Sequence, residues 1–103
     1  MALHATAAIV VNENDDESVG ADLLDALERM VPAGAGWRHD RIDDNAHAHI
    51  QAALLGPQEI LPLEDGDLRL GRWQAILLVE LDGPRRGRQI SVTVIPSDEP
   101  VGT

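Results

Sequence analysis

The sequence predicts an α+β domain in which two helices are carried on an antiparallel sheet with one buried face. Three observations carry that prediction. Apolar residues recur at helical spacing in two separate segments of the first 55 positions. Runs with strand composition and period two occupy the opening and the second half, each bounded by turn residues. No internal repeat or membrane-length apolar run competes with this reading.

Each element has its own signal. "LHATAAIVV", from Leu3 to Val11, reads as a strand that places His4, Thr6, Ala8 and Val10 on one face. The polar turn "NENDDES" follows and supplies helix-capping residues. From Ser18, the positions Val19, Leu23, Leu24, Leu27, Met30 and Val31 mark a helix that Pro32 ends. A shorter helix is predicted from Asn45 to Leu55, capped by Asn45 and closed by Gly56-Pro57. Beyond it, "EILPL" and "LRLGRW" flank the turn "EDGD", and "QAILLVEL" and "RQISVTVI" flank "DGPRRG". Two consecutive hairpins are therefore expected. Residues 1–95 form one domain in this reading, and 96–103 a disordered tail.

Composition narrows the function classes. The 103 residues are 44% hydrophobic, but only 2% are aromatic, and much of the apolar content is alanine. Alanine buries little area, so a monomer of this composition is marginal and burial at a subunit interface is expected. The formal net charge is −10 and every basic residue is arginine, which argues against nucleic acid or an anionic membrane as partner. With no cysteine, disulfides and thiolate chemistry are excluded. The chain opens without a signal-like leader, so a soluble cytoplasmic protein is expected.

Three of the four histidines, His39, His47 and His49, crowd into "WRHDRIDDNAHAHIQAALLG". Helical residues advance about 100° each, so His47 and His49 cannot face one ligand. Taking Ala46, Ile50, Ala53 and Leu54 as the buried stripe puts His49 inward and leaves His47 in solvent. His49 is then either a core histidine satisfied by a carbonyl or a site residue. No histidine spacing matches a strong zinc signature.

The segments "HATAAIVVNEN", "NAHAHIQAALLGP" and "DGDLRLGRWQAILLVELDGPR" resemble the YjbQ-like family, described as secondary thiamine-phosphate synthase enzymes. The likeness runs from about residue 3 to 95. It is most specific at Gly66, Gly71, Trp73 and Gln74, where the family reads G-x4-G-T-W-Q. It implies a β-sandwich-like core, a homotrimer, and a polar pocket with a metal-binding histidine cluster. Carried over by position, that cluster is His4, His39 and His49, with His47 a bystander. The chain departs from the pattern at Ala5, Gln58 and Arg72, each in place of a hydroxyl residue. Relatives also have strands upstream of His4, so the chain reads as N-terminally short of the family pattern, as an internal Met-Ala would if the start codon were misassigned.

The resemblance thus implies a synthase that couples a pyrimidine pyrophosphate to a thiazole phosphate, with His4, His39, His49 and Glu13 catalytic. Three neutral imidazoles suit a zinc-like ion, whereas the synthase chemistry calls for magnesium. Glu13, Asp40 or Asp44 would supply oxygens or orient imidazoles. Thr6, Trp73, Gln74 and Arg72 would bind a small phosphorylated metabolite, with Trp73 stacking on a ring or else plugging the core. Arg85, Arg86 and Arg88 read as a solvated turn, with phosphate capture as the alternative. The alternatives are a metal-dependent hydrolase and a non-enzymatic metal- or metabolite-binding trimer.

Overall fold

The computed structural model describes residues 1–97. In chain order these form β1 (Ala7–Glu13), α1 (Glu17–Met30), a 3-10 turn (Arg38–Arg41), α2 (Ala46–Leu55), β2 (Leu63–Glu64), β3 (Asp67–Leu68) and β4 (Gln74–Glu80). The α+β class, with two helices and antiparallel strands, is as predicted. Residues 98–103 of the expected tail lie outside the described residues. Among the described residues, no helix is long and apolar enough to cross a membrane.

The principal sheet pairs β1 with β4 antiparallel, Ala7 opposite Glu80 and Glu13 opposite Gln74. β1 begins at Ala7, not Leu3. The reason is long-range: Gln89 N donates to His4 Nε2 and Arg88 bonds to Thr6, drawing residues 4–6 into a bend ahead of the strand. The expected second hairpin does not form. Its loop folds back on β4, with Arg85 on Asp82 and Arg88 on Glu80. The following segment therefore leaves towards residues 1–3, where Leu3 N donates to Gln89 O and Ser91 N to Met1 O. The first hairpin does form, but only as the two-residue strands β2 and β3. Asp65 and Gly66 both take positive φ there, 51° and 83°, as a tight hairpin turn requires.

α1 starts where Asp16 Oδ1 accepts from Ser18 N at 2.9 Å. Its inner end is tied to α2 by Gln51, whose Nε2 donates to Leu27 O and Val31 O. α2 packs on β1. Among the described residues, six of the nine buried apolar ones are alanines, namely Ala2, Ala7, Ala8, Ala46, Ala48 and Ala52. Such small side chains let helix and strand backbones approach closely but bury little area. Of the expected inner face of α2, Ala46 is buried and Ile50 half-buried, but the rest is misplaced. Ala48, Gln51 and Ala52 are buried, whereas Ala53 and Leu54 are exposed. The polar Gln51 hid this face, because it is buried for its bonds to α1 rather than for apolar burial.

The result is a thin core under a large surface. The radius of gyration is 16.7 Å, against about 13 Å for a compact chain of this length. The accessible surface is 8014 Å², against roughly 5,700 Å² for a compact monomer of this mass.

Candidate functional site

Two of the three predicted histidines come together. The rings of His39, on the 3-10 turn, and His49, on α2, meet edge to face with centroids 4.8 Å apart. Asp40 makes the arrangement possible: its Oδ1 accepts from Ala46 N at 3.1 Å and so docks the turn on the start of α2. Asn45, expected to cap that helix with its side chain, instead donates to Asp82 Oδ2 at 2.8 Å. Gly36, Trp37, Arg38, His39, Ala46, His49 and Ile50 enclose an open, mainly apolar hollow of about 460 Å³. Trp37 Nε1 donates to Pro32 O at 2.9 Å, which leaves its ring surface for apolar contact. Among the described residues neither imidazole has a hydrogen-bond partner and Arg38 has no ion pair.

His4 stands apart, its Nε2 accepting from Gln89 N at 2.6 Å. His47 is not out in water as predicted. It is half-buried, and its Nδ1 is enclosed without a partner. With the buried arc centred on Ala48, Gln51 and Ala52, the two α2 histidines flank that arc on opposite sides. The predicted 200° divergence is retained, but neither ring points into the core.

The substrate-binding candidates lie elsewhere. Arg72, Trp73 and Gln74 border a second hollow, about 550 Å³, with Asn14, Asp15 and Ala75. Trp73 is 52% exposed with the Arg72 guanidinium 4.8 Å over its ring, so it is not the core plug. Gln74 Oε1 accepts from Gly71 N, which fixes the bend before β4. Glu13, half-buried at the end of β1, pairs across to Gln74. Thr6 is buried and already engaged by Arg88.

The sequence missed the polar cluster at the other end of the sheet. Arg85 and Arg86 are exposed in the turn as expected, but Arg88 is not a solvated turn residue. Arg88 Nε lies 2.7 Å from Glu80 Oε1, and Arg85 Nη2 lies 2.7 Å from Asp82 Oδ2. The Arg88 guanidinium, donating to Glu80, holds that carboxyl below its ordinary range against the opposing effect of burial. The Asn45 amide, and then Arg85, do the same for Asp82. Asn45 lies 37 positions from Asp82 and Thr6 lies 82 from Arg88, so no local spacing advertises the cluster as a whole. Arg38 was also missed, although its place beside His39 in "WRHD" was a usable signal.

No group of three or more histidines or carboxylates among the described residues is arranged to hold a metal ion. The predicted His4–His39–His49 metal set is corrected accordingly, since His4 is bound to the 89 backbone instead of facing the other two.

A sequence model of the family described as UPF0047 protein YjbQ-like matches residues 1–97. A UPF0047 protein of Archaeoglobus fulgidus is 48% identical over 87 residues, covering 84% of this chain and 68% of the relative. One from Methanothermobacter thermautotrophicus is 44% identical, covering 88% and 62%. The crystal structure of a YbjQ-like protein of unknown function from Sulfolobus solfataricus superposes with a TM-score of 0.81 at 45% identity, covering 84% of this chain and 62% of that one. The chain thus spans roughly two thirds of the length of these relatives. The descriptions assign no activity: the family is UPF0047 and the Sulfolobus protein is of unknown function. That overturns the expected thiamine-phosphate synthase and its transferase chemistry.

Proposed function

The chain belongs to the YjbQ-like UPF0047 family, and from that premise we propose that it performs acid–base chemistry on a small anionic molecule held in the hollow between the 3-10 turn and α2. The observation that carries this reading is the His39–His49 pair at the rim of an open, mainly apolar hollow, beside an unpaired Arg38. Imidazole both gives and takes a proton near neutral pH, and two side by side divide those roles. Arg38 is placed to meet an anionic group such as a phosphate, for which a guanidinium is geometrically suited. Trp37 and Ile50 offer an apolar wall to the rest of the molecule. The cytoplasmic location expected from the sequence and the trimeric assembly implied by the resemblance belong to the same proposal.

Phenyl phosphate, with one anionic group on one apolar ring, is a suitable probe. Titrated into labelled protein, it is expected to move the NMR signals of the His39 and His49 rings and the Trp37 indole N–H. Arg38→Ala and His49→Ala should each weaken the response by about tenfold, equivalent to about 1.4 kcal/mol. A response confined to Trp73 would transfer the site to the second hollow, and no response at Trp37, His39 or His49 would end the proposal.

A further inference from the structure

Trp37 and Trp73 are the only Phe, Tyr or Trp residues in the chain. An aromatic ring buries a large apolar area, yet Trp73 stands 52% exposed over a core that is mostly alanine. The turn that carries it is fixed. Gln74 N donates to Gly71 O at 3.0 Å and Gly71 N donates to Gln74 Oε1 at 2.8 Å, closing a turn whose central positions are Arg72 and Trp73. A Cβ at Gly71 would lie 3.2 Å from Gln74 Oε1, so glycine suits a turn this tight. The Arg72 guanidinium, 4.8 Å over the indole, steadies the ring from one side.

The ring borders the second hollow, of about 550 Å³, together with Asn14, Asp15 and Gln74. Among the described residues, Gln74 Nε2, the Asn14 side-chain amide and the Asp15 carboxylate have no hydrogen-bond partner, and Arg72 has no ion pair. The hollow therefore offers a ring surface, amide donors and a carboxylate acceptor that are not engaged within the chain. Its border is acidic on balance, because Asp15 is followed by Asp16 and Glu17. That charge disfavours a phosphate and suits a planar, uncharged ring that carries its own donors.

We infer that this hollow binds the base of a guanine nucleoside, stacked on Trp73 with its N1–H and exocyclic amine donated to Asp15. A carboxylate accepts through both of its oxygens, and guanine presents two adjacent donors on one edge. Adenine and cytosine set a donor beside an acceptor, and uracil sets its N–H between two acceptors. Guanine O6, next to N1, accepts from an amide such as Gln74 Nε2. Stacking on the indole supplies affinity, and the carboxylate supplies the choice of base. No residue borders both hollows, so this inference stands apart from the His39–His49 reading.

Guanosine titrated into the labelled full chain is expected to move the NMR signals of the Trp73 indole N–H and of the Gln74 and Asn14 side-chain amides. Trp37, His39 and His49 should stay unmoved. Inosine, which lacks the exocyclic amine, and adenosine should bind about tenfold more weakly, as expected for one lost hydrogen bond to a charged acceptor. Asp15→Asn, at an exposed position, should bring guanosine down to the level of inosine. Trp73→Ala should weaken all three nucleosides by about tenfold through lost stacking. Guanosine monophosphate and a short guanine-rich RNA should bind no tighter than guanosine. Four results would each overturn the inference: no response at Trp73, equal response to the three nucleosides, a guanosine preference that survives Asp15→Asn, or tighter binding of the monophosphate or the RNA.

Discussion

Arg88 joins the two strands of the principal sheet at one end. Its Nε lies 2.7 Å from Glu80 Oε1, at the last residue of β4, while its Nη2 lies 3.0 Å from Thr6 Oγ1, immediately before β1. Since Ala7 and Glu80 are cross-strand partners, the guanidinium clamps the pair that closes the sheet. Charge-assisted bonds of this kind contribute about 1.5–3 kcal/mol. Arg88→Ala is expected to lower stability by about that amount in urea denaturation at fixed protein concentration. Arg88→Lys should recover only part, because an ammonium lacks the fork that engages both carboxylate oxygens.

The same clamp predicts a pH dependence. Glu80 and Asp82 are both held below their ordinary values of 4.5 and 3.8, Glu80 chiefly by Arg88 and Asp82 chiefly by Asn45. A carboxyl whose folded value is depressed contributes stability that is fully present above the unfolded value and is lost as pH falls through the folded one. Stability from these two groups should therefore hold down to the ordinary carboxylate range and decline below it. Glu80→Gln should start less stable and show a shallower acid limb, measured by denaturation midpoints across pH 3 to 7, roughly the range in which carboxylates titrate.

How much of this was legible in the sequence depends on the range of the interaction. Both helices and the turn at Asp65-Gly66 were legible because caps, proline stops and turn residues act over a few positions. The inner face of α2 was not, since Gln51 is polar and is buried for two carbonyls 20 and 24 positions away. Of the candidate site, the His39–His49 pair was foreshadowed by clustering and by the family resemblance. The separation of His4 was not, because it depends on where the 81–88 loop sends Gln89. The pairing of β4 with β1 rather than its neighbour in sequence has the same origin.

Gln51 makes a second stability prediction. Its amide is the donor to Val31 O and to Leu27 O, and the residue is only 5% exposed. Gln51→Leu fills the volume but leaves Val31 O without that partner, a cost of about 1–3 kcal/mol. Amide exchange at the end of α1 should accelerate more than exchange in β1.

Asp40 positions the imidazole pair without joining it. Asp40→Ala removes the acceptor for Ala46 N, for which loss of about 1 kcal/mol is typical of a helix cap. The decisive readout is the His39–His49 contact. The ring-current shift of each imidazole on the other should collapse in Asp40→Ala and persist in a control of equal stability loss, such as Gln51→Leu.

Gly83 tests whether the clamp is rigid. A Cβ built at this position would lie 2.7 Å from Glu80 Cγ and 3.3 Å from its Cδ. A free glutamate would swing aside, but Glu80 is held by Arg88 and also accepts from Asp82 N at 3.0 Å. Gly83→Ala must therefore displace the carboxylate from Arg88, or shift the loop, at a cost of about 1–3 kcal/mol. The two changes should then be non-additive: once Arg88→Ala has released Glu80, adding Gly83→Ala should cost less than it does alone. A coupling of at least about 0.5 kcal/mol in a double-mutant cycle is the expected result. Strict additivity would mean that the methyl group strains the loop itself, and that Glu80 yields whether or not Arg88 holds it.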